Sequence, residues 1–72
     1  MMGEHGGIDS EYIITAKNTA GLVSLRRETP AAAIKKAVEL MGSGHIEVHI
    51  TAPDGEIYYH TEFDRLYRKT ET

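Results

Sequence analysis

The chain has 72 residues and a formal net charge of −3 at pH 7, with seven glycines and no cysteine. A chain of this length forms one small domain with a thin core, and without cysteine neither disulfides nor thiolate metal sites can support that core. The acidic balance disfavours a constitutive nucleic-acid binder, which is usually basic, although protonation of all four histidines would bring the charge from −3 to +1.

The N-terminal segment, Met1 to Ser10, consists mostly of glycine and polar residues, which predicts a disordered lead-in. It lacks the basic run followed by an apolar core that marks a signal peptide. No apolar stretch approaches the ~20 residues that a membrane-spanning helix needs. We therefore expect a cytoplasmic protein without a membrane partner.

The next segment predicts a β-hairpin, with strands at Glu11 to Lys17 and Leu22 to Glu28 on either side of a turn at Asn18 to Gly21. The asparagine of this turn can hydrogen-bond its own backbone, and the glycine tolerates a positive φ. A four-residue loop pairs Ile14 with Leu25 and gives each strand one apolar and one polar face.

The best-marked element is an amphipathic helix at about residues 30–42. Thr29 can accept a hydrogen bond at its N-terminus, Pro30 suits the first helical position, and the Gly42-Ser43-Gly44 run supplies a left-handed stop. At ~100° per residue, the apolar side chains form a stripe that we expect to face a sheet. The stripe contains Pro30, Ile34, Ala37, Val38 and Met41, with Ala31, Ala33 and Leu40 on its shoulders.

A second hairpin follows the helix, with predicted strands at His45 to Thr51 and Glu56 to His60. The turn between them, Ala52-Pro53-Asp54-Gly55, combines proline, aspartate and glycine, which all favour tight turns. Treated as a four-residue loop, this turn pairs Ile50 with Ile57 and sets which side chains of the last strand point inward.

The C-terminal segment, Thr61 to Arg68, predicts a short helical turn capped by its threonine, with Phe63, Leu66 and Tyr67 on one face. The alternative is an extended tail whose phenylalanine and leucine close the end of the core. Lys69 to Thr72 are expected to be loose.

These elements predict an α+β fold, a single small ββαββ domain over residues 11–68. We expect a four-stranded, mostly antiparallel sheet with one helix packed on one face, while the strand order across the middle stays open. The predicted inward strand residues are Tyr12, Ile14, Ala16, Val23, Leu25, Ile46, Val48, Ile50, Ile57 and Tyr59, against Ile34, Ala37, Val38 and Met41 of the helix.

The runs LVSLRRETPAAAIKKAVELM and IEVHITAPDGEIYYHTEFDRL resemble short uncharacterised bacterial ββαββ proteins of the domain-of-unknown-function type. Those proteins have two strands, an alanine-rich helix that opens after Thr or Ser, and a final hairpin with a Pro-Asp-Gly or Asp-Gly turn. The resemblance covers roughly Tyr12 to Leu66. It implies a free-standing small bacterial domain and brings no established activity, cofactor or catalytic residue.

A candidate interaction surface lies on the outward face of the predicted sheet and comprises Arg26, Glu47, His49, Tyr58 and His60. A tyrosine flanked by two histidines, with an arginine nearby, could stack a base or receive a partner protein. Nucleic-acid platforms usually show two or more aromatic residues in a basic field, whereas this face has one tyrosine and balanced charge. A plain solvated sheet face has the same mixed composition.

A metal site on this face would need several of the side chains of His45, Glu47, His49 and His60 to converge on one ion. The first and third of these lie ~13 Å apart along a strand, which is too far for both to bind one ion. We predict no metal and no other cofactor. No cysteine nucleophile, G-x-S-x-G sequence, phosphate-cradling glycine loop or dinucleotide fingerprint is present, so we predict no catalytic residues and no enzyme.

The basic residues form two groups in the sequence, each interleaved with carboxylates, which favours local surface ion pairs. The groups are Arg26, Arg27, Lys35 and Lys36, and Arg65, Arg68 and Lys69.

The function that these observations favour is a non-enzymatic protein-interaction module that self-associates as a homodimer or meets another protein. The marginal core, the lack of covalent or metal supports and the unprotected sheet edges all favour association. The alternative is a nucleic-acid-binding accessory or regulatory protein that uses the open sheet face.

Overall fold

A computed structural model describes residues 11–71, with side chains through Arg68. The protein folds as two β-hairpins joined by a helix, with a second helix at the C-terminal end. The predicted lead-in, Met1 to Ser10, lies outside the described residues. The elements are β1 (Tyr12–Asn18), β2 (Gly21–Arg27), α1 (Pro30–Gly42), β3 (Ile46–Thr51), β4 (Ile57–Tyr59), a 3-10 turn (His60–Glu62) and α2 (Phe63–Glu71).

The four strands form one sheet in the order β2-β1-β3-β4, and every neighbouring pair is antiparallel. The two hairpins therefore meet through β1 and β3 at the centre of the sheet. Helix α1 contacts β1, β2, β3 and α2, and α2 also contacts β4. Both helices thus pack on one face of the sheet, and the predicted α+β architecture is confirmed.

The first hairpin has the predicted register. Ile14 pairs with Leu25, and Asn18 pairs with Gly21 at the end of the strands. The Asn18 Oδ1 atom accepts hydrogen bonds from the backbone N–H groups of Ala20 at 2.8 Å and of Gly21 at 3.0 Å. Gly21 has a φ of +131°, which an L side chain would resist. The polar side chain and the glycine together close the turn.

Helix α1 begins and ends as the sequence predicts. The Thr29 Oγ1 atom accepts a hydrogen bond from the N–H of Ala32 at 3.1 Å. At the other end, the N–H of Gly44 donates to the Met41 carbonyl at 3.1 Å, and the N–H of His45 donates to the Leu40 carbonyl at 3.0 Å. This pair of bonds is a Schellman motif, and Gly44 takes the left-handed position with a φ of +93°.

The side of α1 that faces the sheet differs in part from the prediction. Ala37 is fully buried and Ile34 packs against the core, both as predicted, and Ala33 is fully buried as well. Val38 and Met41, which were also predicted to face inward, are 54% and 38% exposed. The helix is therefore rotated from the predicted stripe toward its alanine side. Small side chains let the helix axis approach the sheet closely, and the larger core side chains come from the strands and from α2.

The loop of the second hairpin is one residue shorter than predicted. The Ala52 N–H donates to the Glu56 carbonyl at 2.8 Å, and the Gly55 N–H donates to the Ala52 carbonyl at 2.9 Å. These bonds leave a three-residue loop that ends at Gly55, whose φ is +93°. A type I turn followed by a left-handed residue is a common three-residue hairpin connection.

The shorter loop exchanges the two faces of strand β4. Ile50 pairs with Tyr58, whereas the prediction paired it with Ile57. Tyr58 is therefore fully buried, while Ile57 and Tyr59, both predicted to face inward, are 45% and 50% exposed. A change of one residue in register exchanges every side chain between the two faces of a strand, so this part of the predicted core was wrong.

A β-bulge in β3 places Ile46, another predicted core residue, on the outward face of the sheet. Thr15 pairs with His49, but Lys17 pairs with Ile46, so the register shifts between them. Glu47 lies within this shift and has a φ of 55°, an uncommon value for a residue other than glycine. Ile46 is consequently 60% exposed and does not join Val48 in the core.

The C-terminal segment is helical, as preferred in the prediction, but it begins with the 3-10 turn, and α2 continues past Arg68 to Glu71. The Glu62 carboxylate accepts a hydrogen bond from the Tyr59 N–H at 3.2 Å. Phe63 and Leu66 are buried, and Tyr67 is 46% exposed. The buried core comprises Ile14, Ala16, Ala33, Ala37, Val48, Ile50, Ala52, Tyr58, Phe63 and Leu66.

The register of β4 predicts opposite outcomes for its two tyrosines. Tyr58→Ala should lower the free energy of unfolding by about 3–5 kcal/mol, because it removes a fully buried aromatic ring. Tyr59→Ala, the matched change one residue later, should cost less than about 1 kcal/mol, because that ring is half exposed. Urea denaturation followed by circular dichroism measures both values. Equal losses, or a larger loss for Tyr59→Ala, would contradict the three-residue loop.

The backbone of Glu47 predicts a stabilising substitution. Glu47→Gly should raise the free energy of unfolding by roughly 0.5–1 kcal/mol, because glycine adopts a positive φ without the steric cost of a side chain. Glu47→Gln keeps the side chain and removes its exposed ion pair with Lys17, so it should change stability by less than about 0.5 kcal/mol. Thermal unfolding of the two variants provides the comparison, and a destabilised glycine variant would argue against the bulge geometry.

Candidate interaction surface

The sheet face opposite α1 and α2 carries the outward side chains of all four strands. Strand alternation and the two irregularities described above decide which residues these are. We call this set the open face. It consists of Ile13, Thr15, Lys17, Leu22, Ser24, Arg26, Ile46, His49, Thr51, Ile57 and Tyr59.

The register arranges the open face in rows that run across the strands. Directly paired residues on one face of a sheet have side chains in contact distance, so each row is a continuous line of neighbours. The rows are Arg26–Ile13–Thr51–Ile57, then Ser24–Thr15–His49–Tyr59, then Leu22–Lys17–Ile46.

The open face is unusually apolar for a sheet surface. Leu22 is 72% exposed and Ile46 is 60% exposed, in addition to the half-exposed Ile57 and Tyr59. These are four of the seven large hydrophobic side chains that are exposed among the described residues. Scattered apolar side chains need no explanation, but their collection on one face marks a candidate binding surface.

Tyr58 does not belong to the candidate surface that the sequence predicts. Its side chain is fully buried on the helix-facing side of the sheet. The hydroxyl donates a hydrogen bond to the Glu56 carboxylate at 2.8 Å, and the Arg65 guanidinium carbon lies 5.1 Å from the ring centroid. Tyr58 is therefore a core residue with a satisfied polar end, which corrects its assignment to the outward face.

Tyr59 occupies the position that the prediction gave to Tyr58. Its ring centroid lies 5.4 Å from that of His49, and the two ring planes are inclined by 46°. The pair forms the aromatic part of the open face near the β4 edge. The sequence signal that could have revealed this register is Gly55, because glycine commonly occupies the last, left-handed position of a three-residue hairpin loop.

The other predicted surface residues are dispersed. Arg26 lies in the first row of the open face, two strands away from His49. Glu47 lies in the bulge, and His60 begins the 3-10 turn beyond β4. The predicted convergence of Arg26, Tyr58 and His60 on one patch is therefore wrong, because the three residues lie on different faces or elements.

The charges of the open face are paired. The Lys17 ammonium lies 3.6 Å from a Glu47 carboxylate oxygen, and the Arg26 guanidinium lies 3.8 Å from a Glu11 carboxylate oxygen. Three of the four side chains are more than half exposed and Glu11 is 28% exposed, so the contribution of these pairs to stability is small. They do neutralise the two cations of the open face, which consequently has no strong field of either sign.

The described part of the chain contains neither a metal-ligand cluster nor a membrane-spanning helix. No group of three or more His, Asp or Glu side chains among the described residues is placed to hold a metal ion. Within the same part, neither helix has the length and apolarity needed to cross a bilayer.

The chain matches no protein-family model, no curated protein and no solved structure.

Proposed function

We propose that the protein is a non-enzymatic interaction module that self-associates through its open face. The observation that supports this proposal is the set of exposed apolar side chains on β2, β3 and β4, on the side of the sheet that neither helix contacts. A second copy brings the same apolar surface in a two-fold arrangement, which makes the contact self-complementary. We place the module in the cytoplasm, since a chain without cysteine suits a reducing compartment.

The composition of the core supports association. Four of its ten buried residues are alanine, namely Ala16, Ala33, Ala37 and Ala52. Alanine buries little apolar area, and small domains gain little stability from a single core. Packing two open faces together adds apolar burial that one copy does not have.

The dimensions of the open face set the expected affinity. Strands lie ~4.8 Å apart and rows lie ~6.8 Å apart, so four strands and three rows span a patch of roughly 15 by 15 Å between backbone positions. A patch of this size lies well below the ~800 Å² per partner of a standard interface, so the contact belongs to the weak and transient class. We therefore propose a dimer with a dissociation constant on the order of tens of micromolar.

Sedimentation equilibrium tests this proposal directly. The unaltered protein should populate dimers at concentrations of roughly 100 µM and above. Ile57→Lys, on the open face, should weaken the dimer at least about tenfold, because it places an unpaired charge in an apolar contact. The matched control is Val38→Lys, since Val38 is similarly exposed but lies on α1.

The control variant should dimerise like the unaltered protein. A monomer at roughly 500 µM would exclude self-association, and equal weakening by both lysine variants would assign the effect to net charge. Weakening by Val38→Lys alone would move the contact to the helical side.

Nucleic-acid binding is the second candidate function, and the ring pair of His49 and Tyr59 is the observation that favours it. An exposed tyrosine beside a histidine offers a stacking platform for a base, and Lys17 and Arg26 lie on the same face. The acidic partners of both cations weigh against it, as does the presence of a single tyrosine.

Fluorescence anisotropy with a labelled single-stranded oligonucleotide distinguishes this candidate from self-association. If the open face binds nucleic acid, affinity should fall as the salt concentration rises, because salt screens the phosphate contacts of Lys17 and Arg26. Tyr59→Ala should weaken binding roughly tenfold through the loss of one stacking contact. Tyr67→Ala is the matched control, because Tyr67 is similarly exposed on α2. No binding in low salt would exclude this candidate.

A further inference from the structure

A second surface feature lies on the helical side of the molecule, between the end of β2 and the neighbouring side of α1. It is an open cleft of about 250 Å³ lined by Arg27, Ala32, Lys35, Lys36 and Glu39. We call it the basic cleft. The sequence places four basic residues near this region but gives no indication that a cleft brings three of them together.

The fold explains this grouping. Arg27 is the last residue of β2 and pairs with Tyr12, so strand alternation directs it toward the helix-facing side, away from Arg26. On α1, Ala32, Lys36 and Glu39 follow at spacings of four and three, which place them on one flank of the helix. The short link between β2 and α1 keeps this flank beside the end of the strand.

Two of the three cations in the basic cleft are held in position. The Lys36 ammonium lies 2.9 Å from a Glu39 carboxylate oxygen, and its side chain is only 28% exposed. The Arg27 Nη1 atom donates a hydrogen bond to the Arg26 carbonyl at 2.5 Å. Among residues 11–68, Lys35 has no carboxylate within ion-pair distance.

The electrostatics of the basic cleft are positive despite the acidic chain. Three cations line it against one carboxylate, and Glu28, which follows Arg27 in the chain, is not among the lining residues. The pKa of Glu39 is lowered, first by its hydrogen bond and charge interaction with Lys36 and then by the charges of Lys35 and Arg27. The positive charges of the cleft thus stabilise the charged form of this carboxylate, and they would stabilise a bound anion in the same way.

We propose that the basic cleft binds a phosphate group through Arg27, Lys35 and Lys36. Guanidinium and ammonium groups both donate charge-assisted hydrogen bonds to phosphate oxygens, and the guanidinium can do so with two N–H groups at once. The volume lies just below the range of about 300–1,000 Å³ typical of pockets that enclose a whole small molecule. The cleft therefore suits a phosphate or pyrophosphate group whose remaining molecule extends into solvent.

Two sources of such a group are distinguishable, a small phosphorylated molecule and a nucleic-acid backbone. Inorganic pyrophosphate serves as the probe for the first, and a short oligothymidylate serves for the second. Binding is followed by amide chemical shifts of the full chain in ¹⁵N-labelled form at low salt. The amides of Ala32 to Glu39 should move, and those of the open face should not.

Charge-matched variants separate the basic cleft from a general charge effect. Lys35→Gln should weaken pyrophosphate binding at least about fivefold, whereas Lys17→Gln, an equal charge change on the open face, should leave it within about twofold. Glu39→Gln should strengthen binding at least about threefold, because it removes the one carboxylate among the described residues that line the cleft, whereas Glu47→Gln should not. All four side chains are mostly or partly exposed, and unchanged amide spectra would show that each variant is folded.

The outcomes decide the proposal. Loss of pyrophosphate binding in Lys35→Gln, with a gain in Glu39→Gln, supports the basic cleft, and parallel effects with oligothymidylate assign the phosphate to a nucleic acid. Equal effects of Lys17→Gln and Lys35→Gln would reduce the binding to net charge and overturn the proposal. The absence of shifts in α1 at about 10 mM pyrophosphate would overturn it as well. None of these outcomes depends on the oligomeric state of the protein.

Discussion

The backbone conformation of Gly55 decides which side chains of β4 lie on each face of the sheet. Its positive φ closes a three-residue loop between β3 and β4, and the loop length sets the register of β4. Since successive side chains of a strand point to opposite faces, this register places Tyr58 in the core and its two neighbours outside. Tyr58 is among the largest fully buried side chains in the described part of the protein, so much of the core volume depends on this turn.

The bulge at Glu47 has the same effect at the other end of β3. Together, the loop and the bulge move Ile46, Ile57 and Tyr59 from the predicted core to the open face. Phe63 and Leu66 of α2 bury apolar area on the other face, while the helix that covers the sheet centre contributes alanines. Two local backbone features therefore account for three of the four exposed large apolar side chains of the open face, while Leu22 lies there by the regular alternation of β2. This apolar character is why we treat that face as a contact surface.

Features with a local cause were predictable from the sequence. The threonine cap of α1, the asparagine–glycine turn and the register of the first hairpin each depend on residues within a few positions of one another. The register of the second hairpin was less predictable, because a Pro-Asp-Gly turn is compatible with loops of three and four residues. Glu47 gives no signal at all, since a left-handed conformation at a residue other than glycine is imposed by its surroundings. The rotation of α1 depends on α2 and the sheet, so the apolar stripe alone could not predict it.

Of the predicted surface residues, Arg26 and His49 do lie on the open face. The tyrosine on that face is Tyr59 and not Tyr58, because the three-residue loop between β3 and β4 sets the register of β4.

Strand alternation also separates the two arginines at the end of β2, and this separation shapes the electrostatics of the molecule. Arg26 lies on the open face beside a carboxylate of Glu11, whereas Arg27 faces the helix and joins Lys35 and Lys36. The net charge of −3 is an average over the chain, but exposed charges act over only about 10 Å at moderate salt. An anion near the basic cleft is therefore governed by its three cations and one carboxylate more than by the acidic composition. For this reason the acidic balance disfavours a broad basic surface for nucleic acid and does not disfavour a phosphate group bound at this one place.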